Sequence, residues 1–194
     1  QTVQLTRGDT ILVHAASGGV GQILCQWAKH LGVTVIGTVG SDDKAALAKA
    51  KGCDEVIVYT REDFVERVRQ ITKGRGVRVV YDSVGKDTFQ GSLDCLLARG
   101  MLVMFGQSSG LVPPFDITSL SVKGSLYLTR PTLSTYAANG EVMRKMASDL
   151  FHVVRAGIVR VAPPRLFPLR EAAAAHVALE SRAVALATSE ATLR

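Results

Sequence analysis

The chain of 194 residues is short of several things. No apolar run approaches the roughly 18 residues that a bilayer-spanning helix needs, and no secretory signal opens the sequence as given. Cysteine is scarce: Cys25, Cys53 and Cys95 are odd in number, widely spaced, free of any Cys-x-x-Cys pair and set among apolar neighbours. That pattern fits reduced core thiols in a cytoplasmic protein better than a disulfide frame or a zinc site, so no metal is expected. Aromatics make up 6% of the chain and are not interleaved with basic residues. The formal charge of +6 comes from 23 basic and 17 acidic residues, and its densest stretch, Arg61 to Arg78, is broken by Glu62, Asp63 and Glu66. This reads as a solvated helix face that would attract an anionic ligand and gives no support to nucleic-acid binding. Three catalytic signatures are also missing. No tyrosine is followed four residues on by lysine, no Gly-x-x-x-x-Gly-Lys-Ser/Thr occurs, and no His-x-x-x-His pair or acid–His–Ser grouping exists. His14 at the end of the first strand reads as a packed or capping residue rather than a base.

What is present begins at Thr10. Ile11 to Val13 is a short apolar strand; Ala15, Ala16, Ser17, Gly18, Gly19 and Gly21 follow, all small. Val20, Ile23, Leu24, Trp27 and Leu31 then recur at helical spacing. Strand, small-residue turn and helix in that order form the phosphate-binding corner of a dinucleotide fold. There backbone N–H groups and the helix dipole meet a pyrophosphate. Against the usual Gly-x-Gly-x-x-Gly, this chain has Ala16-Ser-Gly-Gly-Val-Gly21. A tight turn without a ligand is the plain alternative.

Further strands are expected over 33–39, 54–59, 77–81, 101–105 and 125–129. Helices are expected over about 41–51, 62–72, 87–97 and 141–156, with a turn at Arg99-Gly100. Alternating strands and helices predict an α/β protein with a doubly wound, parallel, six-stranded sheet in the order 3-2-1-4-5-6. The sheet and its helices account for residues 1–157. Residues 158–194, an extended stretch around Pro163 to Pro168 and an Ala-rich helix over 169–181, read as the remnant of a second domain. The opening Gln1 to Asp9 reads as the end of a helix leading into a strand, so a fragment or trimmed form is expected.

In doubly wound sheets ligands lie across the carboxyl ends of the strands. An NAD-preferring site carries a carboxylate at the end of the second strand, about 20 residues past the glycines, for the ribose hydroxyl. Val39 and Gly40 occupy that place here. Ser41 is a natural N-cap and Asp42 and Asp43 suit the first helical turn. Lys44 opposes the helix dipole, at a cost of about 0.3–1 kcal/mol, and a 2′-phosphate beside it would compensate. The lean is towards NADPH; a solvated lysine helped by its two aspartates is the alternative. Asp82 to Gly85 and Phe105 to Ser108 end the fourth and fifth strands with small and hydroxylic residues fit to line a nucleotide, or to make ordinary turns.

With His14-Ala-Ala-Ser-Gly-Gly-Val-Gly21, Gln26-Trp-Ala-Lys29, Ile36-Gly-Thr-Val-Gly40 with Lys44, Val80-Tyr-Asp-Ser-Val-Gly85, Phe105-Gly-Gln-Ser-Ser109 and Gly124-Ser-Leu-Tyr-Leu-Thr-Arg-Pro131 in view, the chain resembles the zinc-free quinone oxidoreductases of the medium-chain dehydrogenase/reductase superfamily. The match runs from about Arg7 to Arg182. The resemblance implies NADPH, with pyrophosphate on Ala16, Ser17, Gly18, Gly19, Val20 and Gly21 and the 2′-phosphate at Gly40, Ser41, Lys44 and Tyr59. It places Ser83 near a ribose, Phe105, Gly106, Gln107 and Tyr127 to Thr129 (Leu128 among them) near the nicotinamide, and Arg182 near the adenine end. It implies hydride transfer to a quinone or enone, and a homodimer through the edge strand 124–129. Two rivals stand beside it: an enoyl reductase acting on conjugated thioesters, and a nucleotide-binding module without catalysis. The family carries a catalytic, GroES-like domain before this segment, which would make 158–194 its C-terminal remnant, and Ala183 to Arg194 is a poor copy of the family's last strand.

Overall fold

A computed structural model describes residues 2–161, 163 and 166–180. The chain forms β1 (Thr10–Val13), α1 (Gly19–His30), β2 (Thr34–Val39), α2 (Asp42–Ala50), β3 (Glu55–Val58), α3 (Phe64–Ile71), β4 (Val77–Asp82), α4 (Phe89–Asp94), β5 (Leu96–Met104), α5 (Thr118–Val122), β6 (Tyr127–Thr129), α6 (Leu133–Tyr136), α7 (Gly140–Arg155) and, after a 3₁₀ turn at Leu169–Glu171, α8 (Ala172–Glu180). All six strands are parallel, in the order β3-β2-β1-β4-β5-β6. This is the expected Rossmann-type sheet, with its switch point between β1 and β4.

Strand alternation sorts the core into two layers. Ile11, Val13, Val35, Val79 and Val103 face Cys25 and Ala28 of α1 and Ala48 of α2. Leu12, Ile36, Ile57, Val80 and Leu102 face Val68, Phe89 and Leu93 on the other side. All three cysteines are free and buried, and Cys25 and Cys53 lie with their sulfurs 3.5 Å apart. Side-chain caps start three helices: Ser41 for α2, Asp63 for α3 and Asn139 for α7, each accepting from backbone N–H groups of the first turn.

The helix α1 packs by its small residues. Gly21, Cys25 and Ala28 form its buried seam, whereas Val20 is 60% exposed and Leu31 41%. The large apolar residues therefore flank the contact, because small side chains let the helix axis approach the sheet. At Gly37 in β2 a Cβ would come within 2.7 Å of both the Ala16 methyl and the Cys53 sulfur, so the bare backbone there seats the turn against the sheet.

Four boundaries differ from the sequence reading. The helix expected to run from Asp87 to Leu97 stops at Asp94, because β5 already begins at Leu96. Arg99-Gly100 is not a turn between elements but a kink inside β5. Arg99 takes φ 61°, and the register jumps from Val77↔Leu96 to Val79↔Met101. Pairing on β6 is confined to Tyr127–Thr129, since Ser125 is left-handed and the Leu126 N–H is committed to the Leu120 carbonyl. The stretch after Pro113 and Pro114 holds two short helices, α5 and α6, that periodicity does not reveal. Beyond α7, the chain returns to α1: Arg160 N–H donates to Gln26 Oε1 at 2.9 Å, and Lys51 Nζ donates to the Arg160 carbonyl at 3.1 Å. The helix expected over 169–181 is seen as far as Glu180; Ser181 lies outside the described residues, as does part of the stretch from Pro163 to Pro168.

Gly37→Ala should destabilise the chain by about 1–3 kcal/mol, the usual cost of forcing an extra methyl into a filled core. Urea titration checks this through a lowered midpoint at unchanged slope.

Candidate functional site

The carboxyl ends of β1, β2, β4, β5 and β6 gather four structural features. The first is the turn from His14 to Gly21. Ala15 takes φ 51°, and its carbonyl accepts from Gly18 N–H at 2.9 Å. A Cβ at Gly21 would lie 2.4 Å from that same carbonyl oxygen, so only glycine lets α1 start this close to the strand. Ala16 and Ser17 are buried, Gly18 is half-buried, and Gly19 and Val20 face solvent. Gln22 Nε2 ties the Ser17 carbonyl at 2.8 Å. The N-cap is Gly18, with no side-chain cap and no acid in the first turn. Unlike the capped helices elsewhere in the fold, α1 leaves its first N–H groups free for an external acceptor, and its dipole favours an anion.

The second feature lies at the end of β2. The chain leaves Val39, whose carbonyl accepts from Tyr59 N–H at 3.1 Å. Parallel pairing of β2 with β3 thus carries Tyr59 beside Gly40, where a Cβ would meet the Tyr59 hydroxyl at 2.8 Å. Thr60 Oγ1 donates to the Gly40 carbonyl at 3.4 Å. Ser41 Oγ accepts from Lys44 N–H at 3.4 Å, which fixes Lys44 on the first turn of α2. Arg61 Nη1 contacts both carboxylate oxygens of Asp42, at 2.7 and 2.8 Å. Gly40, Ser41, Lys44 and Tyr59 are therefore brought together around the strand end. Arg61 belongs to the same group, although the sequence reading left it in a solvated basic stretch; its only signal is lying two residues after Tyr59.

The third feature is a pair of zipped loops after β4 and β5. Phe105 N–H donates to the Asp82 carbonyl (2.9 Å), Ser108 N–H to Ser83 (3.1 Å) and Ser109 N–H to Val84 (2.8 Å). Arg130, just past β6, donates through Nη2 to Gln107 Oε1 at 2.5 Å and through Nη1 to the Gly106 carbonyl at 3.4 Å. Ser83, Phe105, Gly106 and Gln107 thus share one rim with Leu128 and Thr129 at the end of β6. The sequence reading did not single out Arg130. Arg182 lies outside the described residues. A hollow of about 430 Å³ lined by Arg78, Arg99, Met101 and Tyr127 opens at the opposite, amino ends of β4 to β6, away from the crevice this fold uses for ligands, so Tyr127, which the resemblance puts near the nicotinamide, lines this hollow instead.

The fourth feature is a buried polar chain beneath the site. The Asp82 carboxylate accepts from Val84 and Gly85 N–H on one oxygen and from Thr88 and Ser92 hydroxyls on the other. Ser92 has one proton and gives it to Asp82, so its oxygen accepts from His14 Nε2–H at 3.0 Å. His14 Nδ1 then accepts from the Thr38 hydroxyl at 2.9 Å. Every donor in the chain has one acceptor except Thr88, whose hydroxyl also lies 3.2 Å from the Gly85 carbonyl. Burial drives the His14 pKa down to about 4, against a smaller opposing pull from Asp82. His14 is a neutral strut joining β1, β2 and α4, in keeping with its reading as a packed residue. Among the described residues no group of three His, Cys, Asp or Glu side chains converges as metal ligands, and no helix is long and apolar enough to cross a membrane.

Sheet order, glycine turn and uncapped helix define a Rossmann-type dinucleotide fold. Residues 19–148 match the zinc-binding dehydrogenase family, and the chain belongs to that family, within the medium-chain dehydrogenase/reductase superfamily. It is 51% identical over 182 residues to a quinone oxidoreductase of Pseudomonas aeruginosa, covering 94% of this chain and 56% of that protein. It is 50% identical over 177 residues to a 2-haloacrylate reductase of a Burkholderia species, covering 91% and 53%. The crystal structure of Escherichia coli quinone oxidoreductase complexed with NADPH superposes with a TM-score of 0.89 at 48% identity, over 94% of this chain and 57% of that one. The chain thus spans about half the length of the relatives it matches.

The His14 strut has a measurable signature. Its folded pKa of about 4 lies below the ordinary value near 6.5, so between these values the unfolded chain binds the proton and the folded chain does not. Stability from this group is complete above pH 6.5 and is lost as pH falls towards 4, by on the order of 3 kcal/mol. Denaturation of the unmodified chain and of His14→Asn across pH 4–7 should differ in slope by that amount, the variant being flatter.

Proposed function

We propose that the chain is the cofactor-binding part of an NADPH-dependent quinone oxidoreductase. The observation that carries this reading is the end of β2: no carboxylate stands at Val39 or Gly40, Lys44 sits on the first turn of α2 behind the Ser41 cap, and the Tyr59 hydroxyl lies against Gly40. NADPH fits the residues present. The free N–H groups of α1, with Ala16, Ser17, Gly18, Gly19, Val20 and Gly21, hold the pyrophosphate. Gly40, Ser41, Lys44 and Tyr59 hold the 2′-phosphate, Ser83 the ribose, and Phe105, Gly106, Gln107, Leu128 and Thr129 the nicotinamide. Bound there, the cofactor supplies a hydride for reducing a quinone or enone, and the chain positions it and excludes water. Residues 1–157 form the NADPH-binding domain, and 158–194 belong with a catalytic domain that contributes the rest of the substrate pocket. This part of the protein works without zinc: its three cysteines are free and buried, and among the described residues no group of three His, Cys, Asp or Glu side chains converges. Free, buried thiols suit a cytoplasmic setting.

An edge strand with unpaired N–H and C=O groups invites pairing. Tyr127 is half-exposed on β6, and among the described residues the strand pairs with β5 alone. We assign segment 124–129 to a homodimer contact that extends the sheet through two subunits. Light scattering at micromolar concentration should return twice the subunit mass; a single-subunit mass contradicts the contact.

NADPH should bind at least tenfold tighter than NADH, equal to about 1.4 kcal/mol, and Lys44→Ala should remove most of that preference. The full-length protein should oxidise NADPH with 1,4-benzoquinone or 9,10-phenanthrenequinone faster than with a crotonyl thioester. Faster turnover of the thioester would mark an enoyl reductase, and NADPH binding without turnover of any acceptor a non-catalytic module.

A further inference from the structure

The contact between Arg61 and Asp42 bears on which nicotinamide cofactor the site accepts, and its significance rests on the site being one for NADPH. Asp42 is the first residue of α2, three positions beyond Val39 and 21 beyond Gly21. That is the interval at which dinucleotide folds place the acid that takes the ribose 2′-hydroxyl of NAD. The carboxylate is therefore present, displaced by three residues from the strand end. It is not free: both its oxygens converge on the single Nη1 of Arg61, at 2.7 and 2.8 Å.

Arg61 is held in place for this. Its backbone N–H donates to the Val58 carbonyl at 3.1 Å, and Tyr59, two residues earlier, is fixed by the Val39 carbonyl and by contact of its hydroxyl with Gly40. The loop after β3 thus delivers a phenol and a guanidinium together to the end of β2. We propose that Arg61 is a specificity-determining residue: it masks Asp42, a latent acceptor for the ribose of NADH, and so offsets the charge of one of the two first-turn carboxylates of α2 at the rim of the 2′-phosphate site. Without the guanidinium, the Asp42 carboxylate repels a 2′-phosphate and accepts a 2′-hydroxyl. One change therefore moves the two affinities in opposite directions. The acid is 74% and the guanidinium 56% exposed, and exposed pairs are weak, so a several-fold effect is expected rather than a complete switch.

The test is the ratio of NADPH to NADH dissociation constants for the full chain and its variants, measured by calorimetry at low salt. Arg61→Gln should lower the preference for NADPH about fivefold, weakening NADPH and tightening NADH. Adding Asp42→Asn to that variant should restore the preference to within twofold of the unmodified chain, and Arg61→Lys should retain most of it. The pair is exposed, so folding is not at stake. The proposal is overturned if Arg61→Gln leaves the ratio within twofold, or if the double variant keeps the lowered ratio. An unmodified chain that prefers NADPH and loses the preference with Lys44→Ala, but not with Arg61→Gln, sinks this inference alone. One with no preference to lose overturns the cofactor reading as well.

Discussion

The close seating of α1 against the sheet is the constraint on which the rest of this domain depends. It is made by absences of side chain. Gly21 lies where a Cβ would strike the Ala15 and Ala16 carbonyls, and Gly37 lies where one would strike the Ala16 methyl and the Cys53 sulfur. With those positions bare, the turn folds flat on β1 and β2, and Ala16 is fully buried. The first N–H groups of α1 are then left without an internal acceptor. One packing contact thus sets both the fold of the β1–α1–β2 unit and its attraction for an anion. The chain from His14 to Asp82 braces the same corner from below, holding β1, β2, β4 and α4 at fixed spacing with a fully satisfied set of hydrogen bonds.

On the proposed reading, electrostatics at the end of β2 distinguish among nucleotides. The strand end carries no acid, the first turn of α2 carries Lys44, and the nearby acid Asp42 is tied to Arg61. Charge at this corner is therefore arranged by three elements: β2 supplies the bare glycine, α2 the lysine and the aspartate, and the loop after β3 the tyrosine and arginine. Parallel pairing of β2 with β3 is what makes them neighbours.

Features governed by local spacing were legible in the sequence. The strand–turn–helix at 10–30, the N-cap at Ser41 and the alternation of strands and helices led directly to the sheet order. Features that depend on what lies across the sheet were not. Tyr59 and Gly40 are 19 positions apart, and only the resemblance to a family connected them. Arg61 looked like one more residue on a solvated basic face. Val20 and Leu31 belong to the helical stripe but stand outside the buried seam, because the helix packs by Gly21, Cys25 and Ala28. The border between α4 and β5 was misplaced because Arg99 adopts a left-handed conformation inside a strand, which no local pattern announces.

The central claim, that the glycine turn and the end of β2 form one NADPH site, is tested most directly by a crystal structure of the full-length protein with NADPH. The account predicts the pyrophosphate on the N–H groups of Gly19 to Gly21 and the 2′-phosphate within hydrogen-bond distance of Lys44 and Tyr59. A cofactor whose 2′-phosphate points to solvent, with Lys44 unengaged, would contradict it.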